Sequence, residues 1–217
     1  VPYRCMTRKG KFITLEGIEG AGKTTQLAVV RRCLEEQGID VLATREPGGC
    51  PVGERIRELL LDPDEKGMAA DTEVLLLFAA RAEHLAHKIR PALEQGTWVL
   101  CDRFTDATYA YQGGGRRLNP ERIAVLEEYV QGSMSPDLTL LLDLPVAVGL
   151  ARAGTRSAPD RFESEAERFF EGIRTRYLAI AESHPKRVRL IDAGMPVDQV
   201  SAQVRKQVAG FLAGVGR

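Results

Sequence analysis

The residues Gly17-Ile18-Glu19-Gly20-Ala21-Gly22-Lys23-Thr24 fill the pattern G-x-x-x-x-G-K-[ST] completely. They follow an apolar run, FITLE, and open a segment with helical periodicity, which is the setting the pattern needs. Glycines let backbone N–H groups turn inward around phosphate oxygens, and the helix N-terminus adds the positive end of its dipole. Lys23 would reach the β- and γ-phosphates as a point charge, and the Thr24 hydroxyl would ligate Mg²⁺. Thr25 completes the stretch expected to contact the nucleotide. No N-K-x-D guanine-reading motif and no LSGGQ signature accompanies the loop. That leaves a small phosphotransferase in need of an acceptor.

The residues able to hold an anionic acceptor are spread along the chain. Asp102-Arg103-Phe104 follows the apolar run WVLC, at a strand end where open α/β sheets bind ligands. Asp102 would orient Mg²⁺ or its waters across from Thr24, and Arg103 would clamp a phosphate with two donors. A surface ion pair is the other reading of that pair. Val74, Leu77, Phe78, Leu85 and Ile89 form an apolar stripe at helical spacing, and Arg81 falls inside it. A charge aimed at a core needs a partner or a polar ligand. Arg81 is therefore either half of a buried salt bridge or a fork of donors aimed at a base edge. Phe78, one turn back, would stack on that base, or is plain core. In Arg45-Glu46-Pro47-Gly48-Gly49, Arg45 would touch the acceptor or pair with Glu46. Tyr109-Ala110-Tyr111-Gln112-Gly113-Gly114-Gly115-Arg116 lacks the Lys and Ser/Thr of a phosphate loop, and reads as a shaped wall for a nucleoside.

Short apolar runs at 12–15, 41–44, 97–101, 138–142 and 188–191 read as buried strands, separated by helical stretches. Helices are expected at 22–37 and 71–95, and the tail aligns Val197, Val200, Val204, Val208 and Phe211 on one face. Apolar strands alternating with helices imply an α/β fold, a parallel sheet of about five strands with helices on both faces. Residues 1–11 are expected to be an N-terminal extension open to disorder, and 12–217 a single domain. Within it, 153–162 (AGTRSAPDRF) is small, polar and Arg-bearing, and reads as a mobile lid loop. A solvated charged connector is the bland alternative.

The 217 residues carry 30 basic and 30 acidic side chains, so the chain is formally neutral. A general nucleic-acid binder usually shows a basic excess, so a polymer partner is disfavoured. No apolar run is long enough for a membrane span; the richest, 138–150, is broken by Asp143 and Pro145. Cys5, Cys33, Cys50 and Cys101 form no CxxC pair or zinc spacing, which fits reduced thiols in a cytoplasm.

Taken in order, FITLEGIEGAGKTTQ, TREPGG, FAAR, DRFTDATYAYQGGGR and the loop ending DRFE resemble the bacterial thymidylate kinases over nearly the whole chain from Phe12. The resemblance implies a P-loop nucleoside monophosphate kinase-like fold, ATP as phosphoryl donor with Mg²⁺, dTMP as acceptor, and a homodimer. Carried over by position, Arg103 would hold the dTMP phosphate and Arg81 would hydrogen-bond the thymine edge. Thr108 and Gln112 would line the base pocket, and Tyr111 would exclude a ribose 2′-hydroxyl by bulk. Glu19 matches a P-loop carboxylate near the acceptor sugar. Gly20 stands where eukaryotic members carry an arginine, so the catalytic arginine is expected from the lid, as Arg156, with Arg161 a second lid cation. One departure concerns the base-stacking aromatic. Several members place it four residues before the pocket arginine, at Leu77 here, whereas Phe78 lies three before.

The reaction so implied needs no general base, because a phosphate acceptor is already anionic near neutral pH. Its problem is repulsion between two anions, which Mg²⁺, Lys23, Arg103 and Arg156 would offset. The rivals are a kinase for another nucleoside monophosphate, differing around Arg81, Thr108 and Gln112, and a P-loop switch that hydrolyses nucleotide without an acceptor.

Overall fold

The computed structural model describes residues 9–65, 67–154, 160–163 and 165–215. Five strands, β1 (Phe12–Glu16), β2 (Val41–Arg45), β3 (Trp98–Asp102), β4 (Leu138–Asp143) and β5 (Val188–Asp192), form one parallel sheet. The order is β2-β3-β1-β4-β5, which places β1 at the centre. Between and after them come α1 (Lys23–Glu35), α2 (Pro51–Leu61), α3 (Ala70–His84), α4 (Arg90–Glu94), α5 (Thr105–Thr108), α6 (Pro120–Gln131), α7 (Val146–Ala153), α8 (Glu167–Ser183) and α9 (Val197–Val215). The α/β architecture expected from the alternation of runs is the one the chain adopts.

The pleat divides the core in two. Ile13 and Leu15 of β1 and Leu100 of β3 pack with Val30 and Leu34 of α1 and Val200, Val204 and Val208 of α9. On the opposite side, Phe12, Val99 and Cys101 pack with Leu85, Ile89 and Phe104. All five β1 residues are buried, so the strand feeding the Gly-rich loop is held on both faces and both edges.

Two expectations change. The helix over 71–95 is interrupted by a π-helical turn at Leu85–Ile89 before α4. Pro91 has no N–H for the His87 carbonyl, and its ring crowds that carbonyl, so the backbone widens. Val197 is 56% exposed although it shares the apolar period of α9, because it begins the helix, ahead of the packed turns. Of the extension expected over 1–11, residues 1–8 lie outside the described residues; Gly10 donates its N–H to Leu93 O at 2.8 Å and Lys11 pairs with Asp137 at 2.8 Å.

Candidate active site

Leu15 of β1 lies opposite Asp102 of β3, so the two segments that follow these strands open onto one cleft at the carboxyl edge of the sheet. Gly20, Gly22, Lys23 and Thr24 line it from one side, Asp102 and Arg103 from the other. Gly17, Gly20 and Gly22 all take positive φ, at 140°, 71° and 87°, which turns the loop back on itself before α1. The Lys23 ammonium folds over the loop and donates to the Gly17 and Ile18 carbonyls at 3.1 Å each. Burial, and after it the nearby Arg103 guanidinium, lower Lys23 to about 8. Ile18 and Ala21 turn their side chains into the core and present only backbone, while Thr25 is exposed and away from the cleft.

Arg103 has φ +68°, a conformation that L side chains seldom adopt. It is pinned there by its own N–H to Leu15 O (2.9 Å) and by the next N–H, of Phe104, to Glu16 Oε1 (2.7 Å). The guanidinium donates to Gly17 O, to the Tyr177 hydroxyl and to Glu19 Oε1 at 2.9, 3.2 and 2.9 Å. Its other side lies 4.7 Å from the Tyr111 ring centroid, and the Tyr111 hydroxyl donates to Glu19 at 2.6 Å. Glu19, Arg103 and Tyr111 thus form one charged, hydrogen-bonded wall.

At the far end of the cleft Arg81 resolves the misfit seen in its helix. The salt-bridge reading holds: Nε donates to Glu46 Oε2 at 2.8 Å, and both side chains are nearly fully buried. Nη2 donates to the Thr108 hydroxyl at 2.9 Å, but Nη1 has no partner among the described residues. Glu46 Oε1 also meets His84 Nδ1 at 3.1 Å, and the other His84 nitrogen meets the Thr44 hydroxyl at 2.7 Å. Gln112 gives its Nε2 to Glu73 at 2.8 Å, leaving its Oε1 without a partner among the described residues. One buried donor and one buried acceptor therefore stand free on residues that line the same cleft.

Two further expected contacts, besides Thr25, are not brought to the cleft. Leu77 lines it and Phe78 does not: the Phe78 ring packs with Val74 and Ile123, 4.8 Å beneath Arg81. Spaced four and three residues before Arg81, the two side chains diverge to either side of it, Leu77 toward the cleft and Phe78 toward Val74 and Ile123. The second aromatic against Arg81 is instead Phe104, at 4.9 Å, which does line the cleft. Arg45 is exposed and pairs with Glu54, not Glu46. Side chains alternate along an extended chain, so when Arg45 points out Glu46 points in. Glu54 also accepts from Gly49 N–H at 2.7 Å, so this ion pair fastens the Pro-Gly-Gly turn. Arg156 lies outside the described residues. Arg161 is held away from the phosphate end, by Leu60 O at 2.8 Å and Glu73 at 2.7 Å.

Arg57, on the unanticipated helix α2, also lines the cleft and donates to Pro47 O at 2.9 Å. Its signal was available, since Arg57 and Leu61 are four apart and both face the cleft. Beneath the site, burial and then the neighbouring Asp106 raise the Glu16 carboxyl to about 8. A carboxyl raised on folding contributes stability that is present below its unfolded value near 4.5 and is lost as pH rises through about 8. Glu16→Gln mimics the protonated form, so the melting temperature of the parent will fall relative to the variant between pH 5 and 9. Parallel melting curves across that range would refute a protonated Glu16.

A thymidylate kinase family model matches residues 15–204. The chain is 60% identical to thymidylate kinase of Pseudomonas entomophila strain L48, over 94% of this chain and 97% of that one. It is 62% identical to thymidylate kinase of Ectopseudomonas mendocina strain ymp over the same shares. A crystal structure of thymidylate kinase from Ehrlichia chaffeensis superposes with a TM-score of 0.75 at 32% identity, covering 93% of this chain and 99% of that one.

Proposed function

The chain belongs to the thymidylate kinase family, a nucleoside monophosphate kinase that phosphorylates dTMP to dTDP, and from that premise we propose how its own residues carry out the reaction. The observation that carries the reading is the pair of buried hydrogen-bonding atoms, unpartnered among the described residues, on two side chains that line the cleft. Arg81 Nη1 can only donate and Gln112 Oε1 can only accept. A thymine edge offers the complement, a carbonyl at C4 and an N–H at N3. Cytosine presents the reverse at both positions, leaving two buried groups unpaired at about 1–3 kcal/mol each. With the base there, Tyr111 and Glu19 flank the sugar, and Arg103 and Arg57 face the acceptor phosphate. Thr108 holds Arg81 in place.

ATP is the donor, cradled by 17–24. The Thr24 hydroxyl and the Asp102 carboxylate line one cleft, and the buried Asp102 Oδ1 has no partner among the described residues. These fit Mg²⁺, which takes one or two protein oxygens and fills its shell with water and phosphate. Bound there, it would neutralise charge on the transferring phosphoryl group. Lys23 holds phosphate oxygens, Arg103 approaches from the acceptor side, and Arg156 is the further arginine implied by the resemblance. The acceptor oxygen is anionic, so no residue here serves as a base. The homodimer and the cytoplasm are part of the same reading; Leu75, Val125 and Tyr129, exposed on adjoining α3 and α6, offer apolar area for a second copy. So are the single domain over 12–217 and its lid at 153–162.

ADP release from Mg·ATP with a panel of monophosphates tests the reading. We expect kcat/KM for dTMP at least about 10²-fold above dCMP, with dAMP, dGMP and UMP poor and the blank without acceptor low. Turnover indifferent to the acceptor would overturn it.

A further inference from the structure

A carboxamide is ambivalent: turned over, it exchanges an acceptor for two donors. If Gln112 reads the base, something must keep its oxygen toward the cleft, or the same pocket would favour a cytosine-like edge. Glu73 of α3 sits behind Gln112 with no exposed surface and does not line the cleft. Its Oε1 takes the Gln112 Nε2 at 2.8 Å. Its Oε2 meets Arg161 Nη2 at 2.7 Å, and Arg116 spans both oxygens at 3.2 Å.

An ionised carboxylate only accepts, so the amide nitrogen is forced toward Glu73 and the amide oxygen toward the base. The two arginines set their guanidinium groups against that buried carboxylate. They come from either side of the cleft wall: Arg116 ends the π-helical turn Tyr109–Gly115 that carries Gln112, and Arg161 precedes Phe162. Both guanidinia lie against the Phe162 ring, at 5.7 and 4.5 Å from its centroid. Gly114 and Gly115 let this turn close onto α8, since a Cβ at Gly115 would overlap the Phe169 ring.

We propose that Glu73 is a positioning residue that sets base selectivity by fixing the hydrogen-bonding polarity of Gln112. The proposal rests on Gln112 reading the base, and the test separates the two. In Glu73→Gln the new amide pairs with Gln112 in either orientation. In Glu73→Asp the charge stays for Arg116 and Arg161, but the carboxylate falls short of Gln112 by one methylene. In either folded variant the ratio of kcat/KM for dTMP over dCMP falls tenfold or more, chiefly through a higher KM for dTMP. A purely structural role would lower both acceptors together and leave the ratio unchanged, which would overturn the proposal. Gln112→Met checks the premise: if it too leaves the ratio unchanged, Gln112 does not read the base, and the pocket assignment fails first. The unsubstituted protein gives an answer that needs no variant to fold. The Gln112 side-chain amide protons should exchange slowly with solvent, with or without dTMP. Fast exchange, or two interconverting amide signals, would refute a fixed orientation.

Discussion

Replacing Arg103 by alanine will lower kcat/KM for dTMP by about 10³-fold or more, the loss that follows removal of an arginine from a phosphoryl-transfer transition state. The expectation rests on how much of the structure is arranged around this one side chain. Its backbone is held at φ +68° by Leu15 O on one side and by the Phe104–Glu16 bond on the other. Such strain costs about 1–3 kcal/mol and persists only where the surroundings over-determine it. Its guanidinium then bridges the phosphate loop at Gly17, the helix α8 at Tyr177 and the acid at Glu19. The side chain is only 16% exposed, so its charge acts where water screens it little. Arg103→Lys keeps the charge but loses the planar fork, and should recover less than about a tenth of the lost activity. Steady-state kinetics with saturating Mg·ATP measures both, with thermal melting to establish that each variant is folded. Activity within tenfold of the parent in the alanine variant would remove Arg103 from the reaction.

What the sequence discloses depends on how local the chemistry is. The phosphate loop is legible because eight contiguous residues fix their own backbone, and no distant contact is needed to read it. Arg81 is legible as a misfit, because a cation inside an apolar stripe breaks a simple period. Its partners are not, since Glu46 and Thr108 stand 35 and 27 residues away and only the fold brings them together. Periodicity names the face of α3 but does not divide neighbours at its margin, so it leaves open whether Leu77 or Phe78 faces the cleft. Arg45 misled for a related reason. At the end of a strand the side-chain direction follows the pleat, and the acidic neighbour was the residue pointing inward. Glu73 left no signal at all. Its charge reads as an exposed first-turn acid of a helix, and only the arrival of Arg116 and Arg161 from 43 and 88 residues away makes it a buried anchor. The sheet itself was readable as five parallel strands, but not its order, which is set by crossovers and not by any strand's own residues.

Gly20→Ala will produce the largest loss of stability at the site. Gly20 has φ +71°, and a Cβ built on it would overlap the carbonyl oxygen of Gly149 in α7. The converse approach is also tight, with a Cβ on Gly149 falling 2.7 Å from Glu19 O. Two glycines thus allow the phosphate loop and α7 to touch backbone to backbone. The left-handed conformation costs an alanine about 1–2 kcal/mol, and the overlap with rigid backbone adds about 1–3 kcal/mol. Together they should lower the melting temperature by roughly 5–15 °C in a domain of this size. Gly38→Ala supplies the control, because Gly38 has φ +72° but no atom within 4 Å of its would-be Cβ. It carries the conformational cost without the collision. Equal melting temperatures for the two variants would refute the collision; a Gly20→Ala variant several degrees below Gly38→Ala, with raised KM for ATP, would support it. The same crowding bears on mechanism. No side chain, an arginine included, fits at position 20 unless α7 moves, so the loop has no room there for a cation of its own. Positive charge on the transferring phosphoryl group beyond that of Lys23 must then reach it from outside the loop, as Arg103 does from the end of β3.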